Sequence, residues 1–398
     1  MPLPTPFHTR TAPLCSSWEW RDWSGYLAPS LYEPVSHERE YFAIRNSAGL
    51  IDISPLFKYE VIGQDAEQAV DRIMTRDISR CAVGQVLYSP WCDDDGKVID
   101  DGTIARLAPE HFRITAAQPN LRWFQDLGSE LDVQIKDVSN DWAALALQGP
   151  KSRAILKELF PDAGLDTLSY FHLTHTTFAN TSLTITRTGY TGDLGYELWL
   201  RPSYAEQLWD HLMAVGARYN ILPVGLVALD IVRIEAGFML IEVDYIPARQ
   251  ALIPAQKSSP YELGLGWTVN LKGSEFIGKY ALQDERVRGS KWSFVGLEID
   301  WFELERLYNA VGLRPHVAGM RASRLSAPIY VDGRQVGQAT SHVFSPLLKK
   351  YIALATIEKP YARAGTPVYM EMTVEFRREK ANATVVKRPF FNPPRKVK

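Results

Sequence analysis

Hydrophobic and polar positions follow two periods along this chain, one helical and one of strands, and neither dominates. Around residue 39 the stretch EREYFAIRNSAGLIDIS predicts a helix that breaks at Ser47-Ala48-Gly49, followed by a strand through FKYEVIG. Gln64 to Ile78 is expected to be helical, because Ala66, Val70, Ile73 and Met74 recur at helix spacing and Asp65 supplies an N-terminal acid. VLYSPW and KVIDDGTIARL flank the acidic turn CDDDG, and FRITAAQ follows with alternating apolar positions, so residues 84–118 read as antiparallel strands. ALALQGP, a helix at SRAILKELF, and strands at TTFAN and TSLTITRTGY come next. Residues 204–217 and 224–237 predict two more helices, each closed by glycine near its end. Strands and helices therefore mix without regular βαβ alternation, which indicates an α+β class.

The two ends differ from this body. Trp18, Trp20 and Trp23 in residues 1–30 suggest an extended arm whose aromatics bury against the rest. Beyond about residue 283 the chain turns to short strands with turns at VDGRQVG and RAGTP, which predicts a separate C-terminal β-barrel-like domain. Its basic tail, FFNPPRKVK, is expected to be loose and solvated.

At 398 residues the chain suits two or three domains. A net charge of −2 offers no field for a polyanion, so nucleic acid is not an expected partner. No window approaches the roughly 20 apolar residues of a membrane span and the start has no leader pattern, so the expectation is a cytoplasmic protein with no membrane partner. Cys15, Cys81 and Cys92 are widely spaced, with no C-x-x-C and no nearby histidine pair, so neither a disulfide framework nor a metal site is expected. Cys92 sits among carboxylates that disfavour a thiolate. The dinucleotide fingerprint G-x-G-x-x-G and a phosphate loop are both missing.

Three segments carry candidate chemistry. In DDDGKVIDDGT, Asp93 to Asp95 read as a hairpin tip and Asp100 as a backbone cap, while strand alternation puts Asp101 or Asp100 on the inner face as a buried carboxylate. In RTGYTGDLGYELWL, Gly189, Gly192 and Gly195 permit turns and close approach of a flat ligand, and Glu197 leads into an apolar strand. Glu197 either accepts from a pterin- or guanine-like ring, which offers an amine and an adjacent N–H, or sits in an internal salt bridge. In VALDIVRIEAG, Asp230 and Arg233 are three apart and can pair; if Arg233 instead points into a cavity it is a donor for a ligand carbonyl.

Together these segments resemble the glycine-cleavage T-protein (aminomethyltransferase) superfamily. The likeness lies in GYTGDLGYE, RIEAG, ALQGP and GKVIDD, in family order, and in AIRNSAGLIDIS, GWTVNLKGSEFIGKYAL and ATSHVFSPLLKKYIALA, so it runs from about residue 35 to 391. The resemblance implies a three-domain cloverleaf: residues 1–54 plus 137–225 as a folate-binding domain, 55–136 plus 226–282 as a second, and 283–398 as the β-rich third. It implies tetrahydrofolate as co-substrate, with Asp101 near the reacting nitrogens, Glu197 on the pterin ring, and Arg233, Tyr190, Tyr88 and Tyr170 in the same pocket. The chain departs from the T-protein proper at SWEWRDWSGYLAPSLYEPVSHERE, at His342, which replaces a glycine, and at Asp93-Asp94.

Those departures lead the sequence reading to a demethylase-like branch that moves a methyl group from a small O-, S- or N-methylated substrate to tetrahydrofolate. The alternative is aminomethyl transfer in glycine cleavage, with a lipoyl carrier protein as partner. Under the methyl-transfer reading Asp101 would act as general base, with Tyr88, Tyr170 and His342 as candidates for protonating the leaving atom. A flavin oxidoreductase is disfavoured because no dinucleotide domain is present, and a folate-binding regulator because Asp101 is retained and the glycine segment has no cysteine.

Overall fold

The computed structural model describes residues 1–273, 275–315 and 320–398. Three sheets organise them. A six-stranded sheet runs in the order Leu173–Phe178, Thr181–Thr186, Gly195–Leu200, Ala143–Gln148, Ala48–Asp52, Ile221–Pro223. It is antiparallel except for the last pair, which is parallel. A five-stranded sheet is ordered Val86–Cys92, Val98–Ala108, His111–Ala116, Phe57–Ile62, Gln134–Asp137. The third is a closed barrel of six strands between Trp292 and Val386. The class is α+β, as the mixed pattern predicts, and closure spares the barrel any exposed sheet edge.

The hairpin at TTFAN-TSLT forms because Ala179 and Asn180 both take positive φ, 48° and 63°, which matches the twist of the flanking strands. Strand Val98–Ala108 crosses its neighbour so closely that a Cβ at Gly102 would lie 1.8 Å from the Thr115 carbonyl oxygen, so glycine is required between Asp101 and Thr103. The glycine turn is wrapped around Gln148: a Cβ at Gly189 or Gly195 would sit 2.1 Å from its Oε1. Those two glycines thus make room for a side chain of the protein, where the sequence suggested a ligand.

Four other expectations change. The helix expected over 64–78 stops at Ile73, because Met74 turns extended and bridges Trp91 while the Asp71 carboxylate accepts from the Ile78 amide. Ala48 and Gly49, read as a break, begin a strand buried at all five positions, Ala48–Asp52, whose continuous apolar run carries no alternation. In the N-terminal arm Trp18 lies in a turn at φ 57° with its ring in solvent, and the anchor is Phe7, fully buried against Trp209. The tail is docked: Arg395 makes a two-pronged pair with Asp193 at 2.6 and 2.8 Å, and the amides of Phe390 and Phe391 donate to the Glu235 carbonyl. Helix Lys279–Arg288 runs across the 282/283 boundary.

Helix Leu226–Glu235 is the central pillar, buried at every position from Val227 to Glu235. It packs on helix Glu38–Asn46 and on the barrel strands Arg334–Ser345 and Lys350–Glu358. Glu235 at its end accepts from Tyr41 Oη and Ser345 Oγ at 2.5 Å each and from Arg45 at 2.5 and 3.0 Å. Both charged side chains are fully buried, so this pair ties the first domain to the barrel in a place where neither charge could stand alone.

Candidate functional site

The adjacent aspartates of strand Val98–Ala108 point to opposite sides of the sheet, as alternation requires. Asp100 is fully buried and accepts from the amides of Asp101 and Gln118 and from Asn120 Nδ2, at 2.8–3.0 Å, which is the capping role. Asp101 faces two phenols: Tyr88 Oη donates to Oδ2 at 2.7 Å and Tyr245 Oη donates to Oδ1. Burial raises the Asp101 carboxyl above its ordinary range, and the hydrogen bonds from Tyr245 and Tyr88 oppose that rise. No Lys or Arg pairs with it among the described residues. Asp93 to Asp95 form the hairpin tip, with Asp93 accepting from the amides of Asp95 and Lys97 and pairing with Lys257. Burial, then Asp93, pushes the Cys92 thiol well up, which leaves it inert.

Glu197 stands on the six-stranded sheet with its Oε2 accepting from Thr188 Oγ1 at 2.7 Å and Thr186 Oγ1 at 3.3 Å. Oε1 accepts nothing from the described residues, and no cation pairs with the carboxylate among them. The internal salt bridge open at the sequence level is therefore absent there, and burial raises this carboxyl too. Its cavity opens between the two open sheets: Thr103 and Thr115 line one side, Thr186, Thr188, Glu197 and Trp199 the other. Arg113 also lines it, and Thr103 follows Asp101 by two residues on one strand, so Asp101 shares the sheet face of this cavity without being part of its lining.

The tyrosines divide between them. Tyr170 lies near Glu197, under the tail, with Lys396 Nζ 5.7 Å from its ring centre; burial pushes its phenol up to about 12. Tyr190 stacks on Phe238 at 5.6 Å and donates to the Met239 carbonyl. Tyr88 stacks on Trp267, itself under Arg76.

Arg233 is not the free donor that the sequence left open beside an ion pair. It donates to Asp230 at 2.8 Å, Asp244 at 2.5 Å, Ser341 Oγ at 2.7 Å and the Phe238 carbonyl at 3.2 Å, and its side chain is 1 % exposed. The ion-pair alternative is the one realised, because two carboxylates close to one guanidinium offset the burial of its charge. His342 lies in the barrel, its Nδ1 2.7 Å from Tyr351 Oη, and burial lowers its ring to about 4. Nothing places it with Asp101. Sequence reasoning missed Tyr245 and Asp244, which lie in FMLIEVDYIPA without a period; the only signal was an acid and a phenol in a proline-flanked stretch right after a glycine-closed helix.

Among the described residues no three His, Cys, Asp or Glu converge as metal ligands, and no helix is long and apolar enough to cross a membrane. Fold and site together describe an α+β protein with a closed barrel and two buried carboxylates kept in place by hydroxyl groups. The chain belongs to the glycine cleavage T-protein family: residues 17–273 match the GCVT N-terminal domain, and residues 309–392 match the glycine cleavage T-protein C-terminal barrel domain. It is 32% identical over 374 residues to a Halothermothrix orenii protein named aminomethyltransferase, covering 93% of this chain and 95% of that one. A protein of the same name from Alkaliphilus metalliredigens is 31% identical over 378 residues, covering 93% of each chain. Among solved structures, the glycine cleavage system aminomethyltransferase T from Bartonella henselae superposes with a TM-score of 0.82 at 24% identity, covering 98% of this chain and 99% of that one.

Proposed function

We propose that this chain transfers a one-carbon unit to tetrahydrofolate from an aminomethyl group on a lipoyl carrier protein: the carbon becomes bonded to the folate amines, its bonds to sulfur and to nitrogen break, and the lipoyl thiol and ammonia leave. What carries the reading is the pair of buried carboxylates held by hydroxyls alone, Asp101 and Glu197, in a T-protein fold. The name borne by relatives at 31 and 32% identity supports aminomethyl over methyl transfer, and so reverses the order drawn from the altered N-terminal segment. Part of that segment folds as a hairpin, Trp20–Trp23 with Tyr26–Pro29, which Leu3 also bridges at Tyr26.

The residues fit tetrahydrofolate at one testable point. Glu197 has one oxygen held by two threonine hydroxyls and the other without a donor, which suits the amine and ring N–H of a pterin. When bound, tetrahydrofolate supplies the nucleophilic amine. Glu197 would hold the ring, and Tyr170 would wall its pocket. Asp101 would accept the proton released at the reacting amine, and burial of the site would exclude water from the exchange. Tyr190 and Tyr88 belong to the same proposal as pocket walls, and Arg233 as a residue that shapes the pocket from behind. The division of the chain at 54/55, 136/137, 225/226 and 282/283 is part of it.

A second reading, methyl transfer from a small methylated substrate, draws on one observation: Trp267 is 64% exposed and stacked on Tyr88 beside Asp101, an aromatic surface suited to a small apolar donor. The deciding assay offers tetrahydrofolate with aminomethyl-lipoyl protein, and separately with methoxyarenes, sulfonium compounds and methylamines. Folate product with the lipoyl protein alone is expected. Product with a small methyl donor alone would replace the first reading by the second, and silence with all would remove both.

A further inference from the structure

Tyr88 reaches Asp101 from the neighbouring strand of its own sheet, but Tyr245 comes from elsewhere, from the segment that follows the central helix. That segment is fastened one residue earlier. The Asp244 side chain is fully buried and accepts from Arg233 Nη1 at 2.5 Å, Thr340 Oγ1 at 2.5 Å, Ser341 Oγ at 2.7 Å and the Leu240 amide at 2.7 Å. The Glu242 amide donates to the Tyr245 carbonyl at 2.8 Å, and Glu242 takes φ 66°, so the chain is turned tightly around the fastened residue. Tyr245 is 3% exposed, and its hydroxyl meets the carboxylate oxygen that Tyr88 leaves free. With one phenol on each oxygen, the plane of the Asp101 carboxylate is fixed.

We propose that Tyr245 is a positioning residue for Asp101, and that the buried Arg233–Asp244 pair serves the site by delivering the Tyr245 phenol to it. The pair is then not a spare structural ion pair, nor a ligand donor. It carries the barrel's hold on Asp244, through Thr340 and Ser341, across to the proton acceptor. This rests on the reading of Asp101 as general base. Burial and Asp101 keep both phenols protonated far above neutrality, so each acts as a donor only. The other ionisable groups facing Asp101 are Asp100 beside it on the strand and Tyr190 on the glycine turn, and Arg388 of the tail acts one step out, on Tyr88 and Asp244.

The test is an infrared difference titration of the full chain, which follows the Asp101 carboxyl band and uses Asp101→Asn to identify it. Tyr245→Phe removes a hydrogen bond to the charged form, so the protonation midpoint is expected to rise by about one to two pH units. Replacing Tyr245 with 3-fluorotyrosine, a stronger donor, is expected to lower it. Asp244→Asn is expected to move the midpoint in the same direction as Tyr245→Phe. A midpoint unmoved by both changes at 245 overturns the positioning role, even if thermal stability falls. A midpoint moved at 245 but untouched by Asp244→Asn overturns the delivery. The titration needs neither folate nor donor, so a failure of the transfer reading would show separately, as silence in the donor assay with the midpoint still moved.

Discussion

Two kinds of buried carboxylate stand side by side in this molecule. Glu235 and Asp244 are each matched by an arginine and reach from the central helix and the turn behind it to the barrel. Asp101 and Glu197 are matched only by hydroxyls, and Glu197 lines a cavity between the two open sheets. A carboxylate with a guanidinium on it is spent on fastening. One held by neutral donors keeps lone pairs for a ligand or a proton, at the cost of a raised pKa. Neutral donors alone do not mark a site, since Glu285 is buried in the helix Lys279–Arg288 with the hydroxyls of Ser259 and Ser290 on it; what sets Glu197 apart is the cavity it lines.

Substitutions can break that contrast in a graded way. Asp101→Asn keeps shape and hydrogen-bonding capacity but cannot take up a proton, so turnover is expected to fall by about 10²–10⁴-fold with folate affinity retained, as calorimetry and product assay would show. Arg45→Met strands Glu235 in the interior, and denaturant unfolding is expected to register a loss of about 3–5 kcal/mol. Glu197→Ala should do the reverse of Asp101→Asn, weakening folate binding by about 10- to 100-fold, the worth of a hydrogen bond to a charged group, while the fold stays intact. Normal affinity in that variant would take Glu197 out of the site.

Acid should reveal His342. Its folded-state pKa, about 4, lies below the ordinary value of 6.5, so its neutral form contributes stability above pH 6.5 that is lost as pH falls toward 4. His342→Gln should flatten the acid limb of the stability profile by up to one proton. The smallest effect belongs to the surface: Arg321→Ala breaks a two-pronged pair with Glu19 at 2.7 and 2.8 Å, yet should cost less than about 1 kcal/mol, because both partners are solvated.

Much of the scaffold was legible in the sequence because it depends on local pattern. The hairpin around CDDDG, the helix at SRAILKELF and the strands of the barrel each announce themselves through period and turn residues. Ala48–Asp52 did not, since a strand buried on both faces has no polar beat. The tail was misread for another reason: its basic residues look solvated until Asp193, a buried acid inside the glycine turn, is found opposite Arg395. Asp101 and Glu197 could be singled out as acids in apolar strands, but their partners are distant in sequence. Tyr245 is 144 positions from Asp101, and only the fold brings them together.

The Arg233–Asp244 fastening also says something about the order of events on the ribosome. The pillar helix and its acid turn are made before the hydroxyls that complete them, Thr340 and Ser341, exist. Until the barrel arrives, a buried charge cluster lacks part of its partners, so the first two sheets should form early and the pocket late. A chain halted at residue 290 is expected to show native-like secondary structure by circular dichroism but no folate binding.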